Sequence, residues 1–330
     1  MTPRFLAPLA LGAFILLLLL LLMLAPAVAF QPREDVTQDR TYYFRPDAPV
    51  DANGNEVNNC TSDKVVSTPG YPAPDGACRY LQTGMDIVGK LRFDIPVTVT
   101  IKVGGSGFRK MVAKPGAQIL GVPILGTMFM YDPHEGNGAL RIVGDIDNPY
   151  NVVLESVDGH GFWCRAPNGH GAPIVSGPVF IEGFHFEPSR AWGVRWSCRG
   201  TLSVGHVVFG DTCVGGVCGA AHMGVDWGGA DLATHGPITV EGTAKTLVHS
   251  DMGSVWLHNY PIHIDPKRAP SFIDGTVHAF HRSMTWIDAV WSGSTGGSTP
   301  KYIIKSGATV KNVQSLPGIL PGINHNGFVE

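Results

Sequence analysis

The stretch PVFIEGFHF, residues 178–186, alternates Val179 and Ile181, passes two positions, and then alternates Phe184 and Phe186. TLSVGHVVF, residues 201–209, repeats the rhythm 23 residues later with Leu202, Val204, Val207 and Phe209. SVWLHNYPIHI, residues 254–264, repeats it again with Val255, Leu257, Tyr260 and Ile262. A straight strand keeps strict alternation, because successive side chains point to opposite faces. One extra residue in the middle returns the later side chains to the same buried side only if the chain turns a corner there. Gly183 and Asn259, which stand at the breaks, are residue types that tolerate such corners.

Apolar strands that bend and keep one side buried are what a coil around a long core requires. Turn signals separate the runs at CRGT (198–201), WGGA (227–230), MGSV (252–255) and TGGS (295–298), at irregular spacings that fit loops inserted on some coils. The fold expected is all-β: a right-handed, single-stranded parallel β-helix. A β-sandwich also has many short strands but explains the mid-strand phase change less well. The β-helix requires Val179, Ile181, Leu202, Val204, Val255 and Leu257 to line one core, with Val179 and Leu202 as vertical neighbours in parallel register.

One convincing helix precedes the coils. In YLQTGMDIVGKL, residues 80–91, Leu81, Met85, Val88 and Leu91 fall on one face, as a short N-terminal capping helix needs. The organisation expected is a leader over 1–29, an N-terminal loop and capping segment over 30–96, the β-helix over 97–298 and a C-terminal capping segment over 299–330. The leader is the apolar run 5–29, preceded by Arg4 and ending in Ala27-Val28-Ala29, a signal-peptidase pattern. The run is also long enough for an uncleaved membrane anchor. Either reading exports residues 30–330 to a secreted or cell-surface location.

In an exported chain the six cysteines read as disulfides. Cys60 and Cys78 flank a Pro/Gly/Asp-rich loop, Cys213 and Cys218 enclose VGGV, and Cys164 with Cys198 remain as the third pair. The cysteine spacing does not fit a zinc site. His258 with His263, and His278 with His281, sit at spacings that point to opposite faces of a strand, so no metal is expected. No phosphate loop, Rossmann fingerprint or Gly-x-Ser-x-Gly is present, so no cofactor is expected. A net charge of −3 with 15% charged residues gives no basic field, which excludes nucleic acid as a partner.

TYYFRPDA, then CRYLQTGMDIVGKLRFDIPVTVTIKVGGSGF, resembles the opening segment of the parallel β-helix proteins of tailed-phage and prophage genomes. The closing TPKYIIKSGATVKNVQSLPGILPGINHNGFVE is similar to that family's end, and the resemblance covers about residues 41–330. It implies a shaft of the tailspike or pectate-lyase-like kind, with a long face on which polysaccharide lies and scope for a homo-oligomer. The chain departs from the family in its cysteines, its enlarged 47–76 loop and its export signal.

An enzyme of this kind would need paired carboxyl groups on one groove. Asp226 and Asp251 stand just before successive corners and could stack on adjacent coils, which makes them the candidate catalytic pair. Before glycines, however, aspartate ordinarily serves the turn, and the side chains are expected to fold back onto the Gly228 and Gly253 corners. His222, Trp227, His249 and Trp256 are the candidate binding residues. The function expected is an exported spike-like or adhesin-like protein that binds or presents a surface toward polysaccharide; the alternatives are a polysaccharide lyase or glycoside hydrolase, and a purely structural surface protein.

Overall fold

Val179 pairs with Leu202 and Ile181 with Val204 in parallel register, Leu202 pairs with Leu232, and Leu232 with Val255. These residues and Leu257 are buried in one continuous apolar cluster. A computed structural model describes residues 33–330 apart from 68–69, 71–72, 105–108, 117, 120–121, 124–126, 157–158, 166–176, 188–190 and 215. The apolar run 5–29, expected to be a leader, lies outside the described residues. The strands and the helix belong to one compact unit, Glu34–Glu330.

The fold is a parallel β-helix with three faces. Face A runs upward through Arg40–Phe44, Thr98–Val103, Ala139–Val143, the first halves of Val179–Phe186 and Gly200–Phe209, Ala230–Thr234, Ser254–Leu257, Met284–Ile287, Thr309–Lys311 and Phe328–Val329. Face B contains Arg109–Val112, Val152–Glu155, the second halves of the two long strands, Ile238–Val240, Pro261–Ile264 and Val290–Gly293. Face C contains Phe129–Tyr131, Phe162–Arg165, Trp192–Ser197, Ala221–Val225, Thr246–Asp251, Val277–Phe280, Tyr302–Lys305 and Ile323–His325. The ladders thus continue past residue 298 through the closing segment.

The mid-strand phase change is the corner between faces A and B. Gly183 takes it at φ +79° and His206 at φ +52°, so Phe184 and Phe186, then Val207 and Phe209, return to the core. On the coil containing Ser254–Leu257 the corner is longer than the sequence rhythm implies. Ile262 pairs with Ile238 and Ile264 with Val240, so these two isoleucines take the inward positions, while Tyr260 is exposed. A turn at His258–Tyr260, closed by the Tyr260 N–H donating to the His258 carbonyl, supplies the additional length. The corner between faces C and A is turned by left-handed residues: Gly229, Met252, Arg282, Gly307 and Asn326 stack in register, and Gly200 on the coil below stands one residue out of line. CRGT, WGGA and MGSV mark this edge, whereas TGGS belongs to the B-to-C edge, between Val290–Gly293 and Tyr302–Lys305.

The bottom of the coil is closed by helix α1, Leu81–Val88. Leu81, Met85 and Val88 are buried against the first coil. Gly84 permits the approach, since a Cβ there would meet Ile101 Cδ1 at 2.7 Å and Phe44 Cζ at 2.8 Å. The helix start is met by the Glu56 carboxylate, which accepts from the Arg79 and Tyr80 N–H groups and the Thr83 hydroxyl; negative charge is favourable there. Gln82, 1% exposed, substitutes for a missing strand. Its Oε1 accepts from the Met130 N–H at 2.8 Å and its Nε2 donates to the Met130 carbonyl at 3.2 Å, ending the lowest rung of face C. Three disulfides add crosslinks at Cys60–Cys78, Cys164–Cys198 and Cys213–Cys218, with Cα separations of 4.9, 5.8 and 3.8 Å. The first ties down the opening loop and the second joins two consecutive coils of face C.

Replacing Gln82 with leucine keeps the volume but leaves the Met130 N–H and carbonyl unpaired in a buried place. Such groups cost about 1–3 kcal/mol each, so Gln82→Leu is expected to lower the urea midpoint markedly. An unchanged midpoint would mean that Gln82 does not terminate the ladder.

Candidate functional site

The outer surface of face C gathers three of the residues singled out in the sequence. Val225 pairs with Ser250, so Asp226 and Asp251, the next residues, lie on adjacent coils as their spacing implied. Their side chains are not folded onto the Gly228 and Gly253 corners. Asp226 Oδ2 accepts from Arg195 Nε at 2.7 Å and from Arg195 Nη2, and its Oδ1 accepts from the Ser197 hydroxyl. Asp251 Oδ1 lies 2.8 Å from His281 Nδ1. Arg195 and Ser197 belong to the coil below Asp226, and His281 to the coil above Asp251, so the two carboxylates lean apart. The reason is electrostatic: the Arg195 guanidinium sits 4.9 Å from the Trp163 ring and 5.6 Å from the Trp192 ring. Such a partly desolvated cation draws the nearest carboxylate to itself.

His249 continues this surface, with ring centroids 4.9 Å from Trp192, 5.8 Å from His278 and 5.4 Å from Phe280. Burial lowers its pKa. Burial likewise pushes His160 and His278 down to about 3, helped by Arg195 at the first and by His249 and Lys305 at the second. Face C is therefore closed over by its own rings. His222 belongs inside the coil, fully buried between Phe209 and Phe272, with Nε2 2.7 Å from the Gly242 carbonyl; burial sets its pKa at about 4. Trp227, half-buried, packs against the core.

Trp256 stands on face A. The outward residues of successive coils form a column there: Arg141, Phe180, Ser203, Ala233, Trp256, Trp286 and Lys311. Its upper part is a stack, with Trp256 on Trp286 at 5.1 Å and 23° and Lys311 Nζ 4.7 Å from the Trp286 ring. Its lower part ends in Phe180 with Arg141 5.8 Å from the ring. Between them Ser203 and Ala233 are small, and an open groove lies there, lined by Ser203, Ala233, Thr234, His235, His258, Asn259 and Tyr260. Trp256, 40% exposed, stands one coil above Ala233.

Beneath the groove, the Glu182 side chain, 4% exposed, accepts from Arg141 Nε at 3.0 Å and from His235 Nε2 at 3.2 Å. Burial raises the pKa of this carboxyl, but the hydrogen bonds from His235 and Arg141 outweigh it and hold it below the ordinary range. His235 is thereby fixed edge-on to Phe180, at 5.5 Å and 88°. Asp231 flanks the groove on the Ala233 strand, with its pKa raised by burial against a hydrogen bond from Ser254. Sequence reasoning missed Phe180, Glu182, Ser203, Ala233 and His235. The signal was present in the register of residues 178–186 on 201–209, which places Phe180 beside Ser203.

Among the described residues, no cluster of three or more His, Cys, Asp or Glu could hold a metal ion. The chain matches no family model, no curated protein and no solved structure.

The buried histidines make stability pH-dependent. Folded His222 binds a proton less readily than free histidine, so the unfolded chain takes up more protons between about pH 6.5 and about pH 4. Stability is complete above that window, falls as the pH falls through it, and loses no more to this residue below it. His222 alone removes about 2 kcal/mol at pH 5 by this linkage. His222→Met is expected to flatten the loss of urea stability between pH 7 and pH 5. An unaltered slope would show that His222 is not buried in its neutral form.

Proposed function

We propose that the protein is an exported, spike-like or adhesin-like β-helix that binds polysaccharide on its outer surface without cleaving it at Asp226 and Asp251. The observation that carries this reading is Trp256. One face of its indole is covered by Trp286, and the ring stands one coil above Ala233, beside His258 of the groove lining. An exposed aromatic ring beside a polar-rimmed groove offers apolar area to the C–H face of a sugar and hydrogen bonds to its hydroxyls. Export is supported by the apolar leader with its small-residue triplet and by three disulfides, which persist in oxidising compartments. Catalysis on face C is disfavoured because the Asp226 carboxylate is engaged by Arg195 and Ser197.

The test is a panel of polysaccharides offered to the purified exported domain, scored for both retention and cleavage. Retention without new chain ends is expected. Asp226→Asn and Asp251→Asn are expected to leave retention within about twofold, whereas a positioned acid or base would contribute about 10²–10⁴-fold to turnover. Release of oligosaccharides that stops in either variant would establish the enzyme reading instead.

A further inference from the structure

The column on face A is symmetric about a gap. At each end a cation lies against an aromatic ring, Arg141 on Phe180 below and Lys311 on Trp286 above. The rings continue inward to Trp256 from above and, through the edge-on contact with Phe180, to His235 from below. Ser203 and Ala233 contribute no ring of their own to the layers between them, where His235, His258 and Tyr260 line the groove. Phe180 and Trp256 are three ladder steps apart, or about 14 Å at about 4.8 Å per step. His235, its centroid 5.5 Å from that of Phe180, takes up the lower part of this span. The span exceeds the about 7–8 Å that one ring in van der Waals contact on both faces needs.

The walls also fix a direction. In the column Trp256 stands above the gap and Phe180 below it, while His235, His258 and Tyr260 belong to the groove lining. Along the strands the Ser203 and Ala233 layers run from Thr201 and Asp231 to the groove residues Asn259 and Tyr260 at the corner. A polymer with one ring in the gap therefore runs parallel to the strands and leaves at both ends. The lining contains no lysine or arginine, Arg141 is paired to Glu182, and Asp231 stands two residues from Ala233 on the same strand. Nothing here attracts a carboxylated sugar, and Asp231 disfavours one.

We propose that this gap is a vacant rung of the aromatic column, filled on binding by one uncharged sugar ring from the interior of a glycan lying along the strands. This rests on the polysaccharide-binding reading and adds the place, the charge class and the direction of the ligand.

The experiment uses the full exported domain with cellohexaose and mannohexaose as uncharged probes and hexagalacturonate as the acidic one, by calorimetry and tryptophan fluorescence. Ala233→Trp fills the gap from a half-exposed position, and Ser203→Leu is the second, smaller filler. An uncharged hexamer is expected to bind, and Trp256→Ala or either filler to weaken it by at least about thirtyfold, as for loss of a central contact. Methylation of the reducing end is expected to leave affinity within twofold, as for an interior ring. Circular dichroism and the melting temperature establish that each variant is folded.

Wild-type affinity in both folded fillers would overturn the vacant rung and leave the polysaccharide reading standing. Tighter binding of hexagalacturonate would overturn the uncharged class alone. Loss of binding on reducing-end methylation would overturn the interior placement. Failure of every hexamer and of the whole polysaccharide panel would overturn the reading on which the proposal rests.

Discussion

The structure depends on vertical repetition within a parallel ladder. Each inward side chain must find another about 4.8 Å above and below it, so one column dictates the next. Val179, Leu202, Leu232 and Val255 are one such column. Because contacts are made mainly with the neighbouring coils, the fold tolerates loops of any length at the corners provided the chain re-enters in register. The left-handed residues from Gly200 to Asn326 ensure that re-entry on the C-to-A edge. The bottom is the place where repetition must stop, and there α1 covers the apolar layer while Gln82 completes the hydrogen bonds of Met130.

The inward half of this arrangement was legible in the sequence and the outward half was not. Burial forces apolar residues into the rhythm of residues 178–186 and 201–209, so phase and register could be read together. The rhythm misled at Tyr260 because a two-residue longer corner preserves apolar spacing while moving the register to Ile262 and Ile264. Corner glycines were visible, but not which edge each one turned, so TGGS reads like CRGT, WGGA and MGSV although it turns a different edge. Two cysteine pairs followed from the loops they enclose, and Cys164 with Cys198 remained as the third. The outward column has no compositional signature: Phe180, Ser203, Ala233 and Trp256 become neighbours only through the register.

Histidine illustrates why residue type alone points poorly to a site in such a fold. His222 occupies the core and holds the Gly242 carbonyl. His134 stacks on Phe93 at 4.1 Å and bonds the Tyr131 hydroxyl at 2.6 Å. His249 and His278 are packed among rings on an outer face. In each case the imidazole is used as a flat, half-polar filler, and burial lowers the pKa of His222, His249 and His278. Asp226 is likewise explained by the cation that Trp163 and Trp192 hold beside it.

What separates a binding surface from a merely exposed one is the state of its strongest contacts before a ligand arrives. On face C the cation has its carboxylate and its two indoles, and His249 and Phe280 have each other. A ligand there would have to replace interactions already made. On face A the charged groups are also paired, Arg141 with Glu182 and Lys311 with the face of Trp286, but these pairings terminate a stack whose middle is empty. Glu182 matters to this even though it is buried below the groove. By holding Arg141 and His235 together it fixes the lower wall, so little side-chain freedom remains to be lost when a ring enters. A wall prepared in this way is what the proposed vacant rung requires, because an incoming ring would find its lower contact already in place.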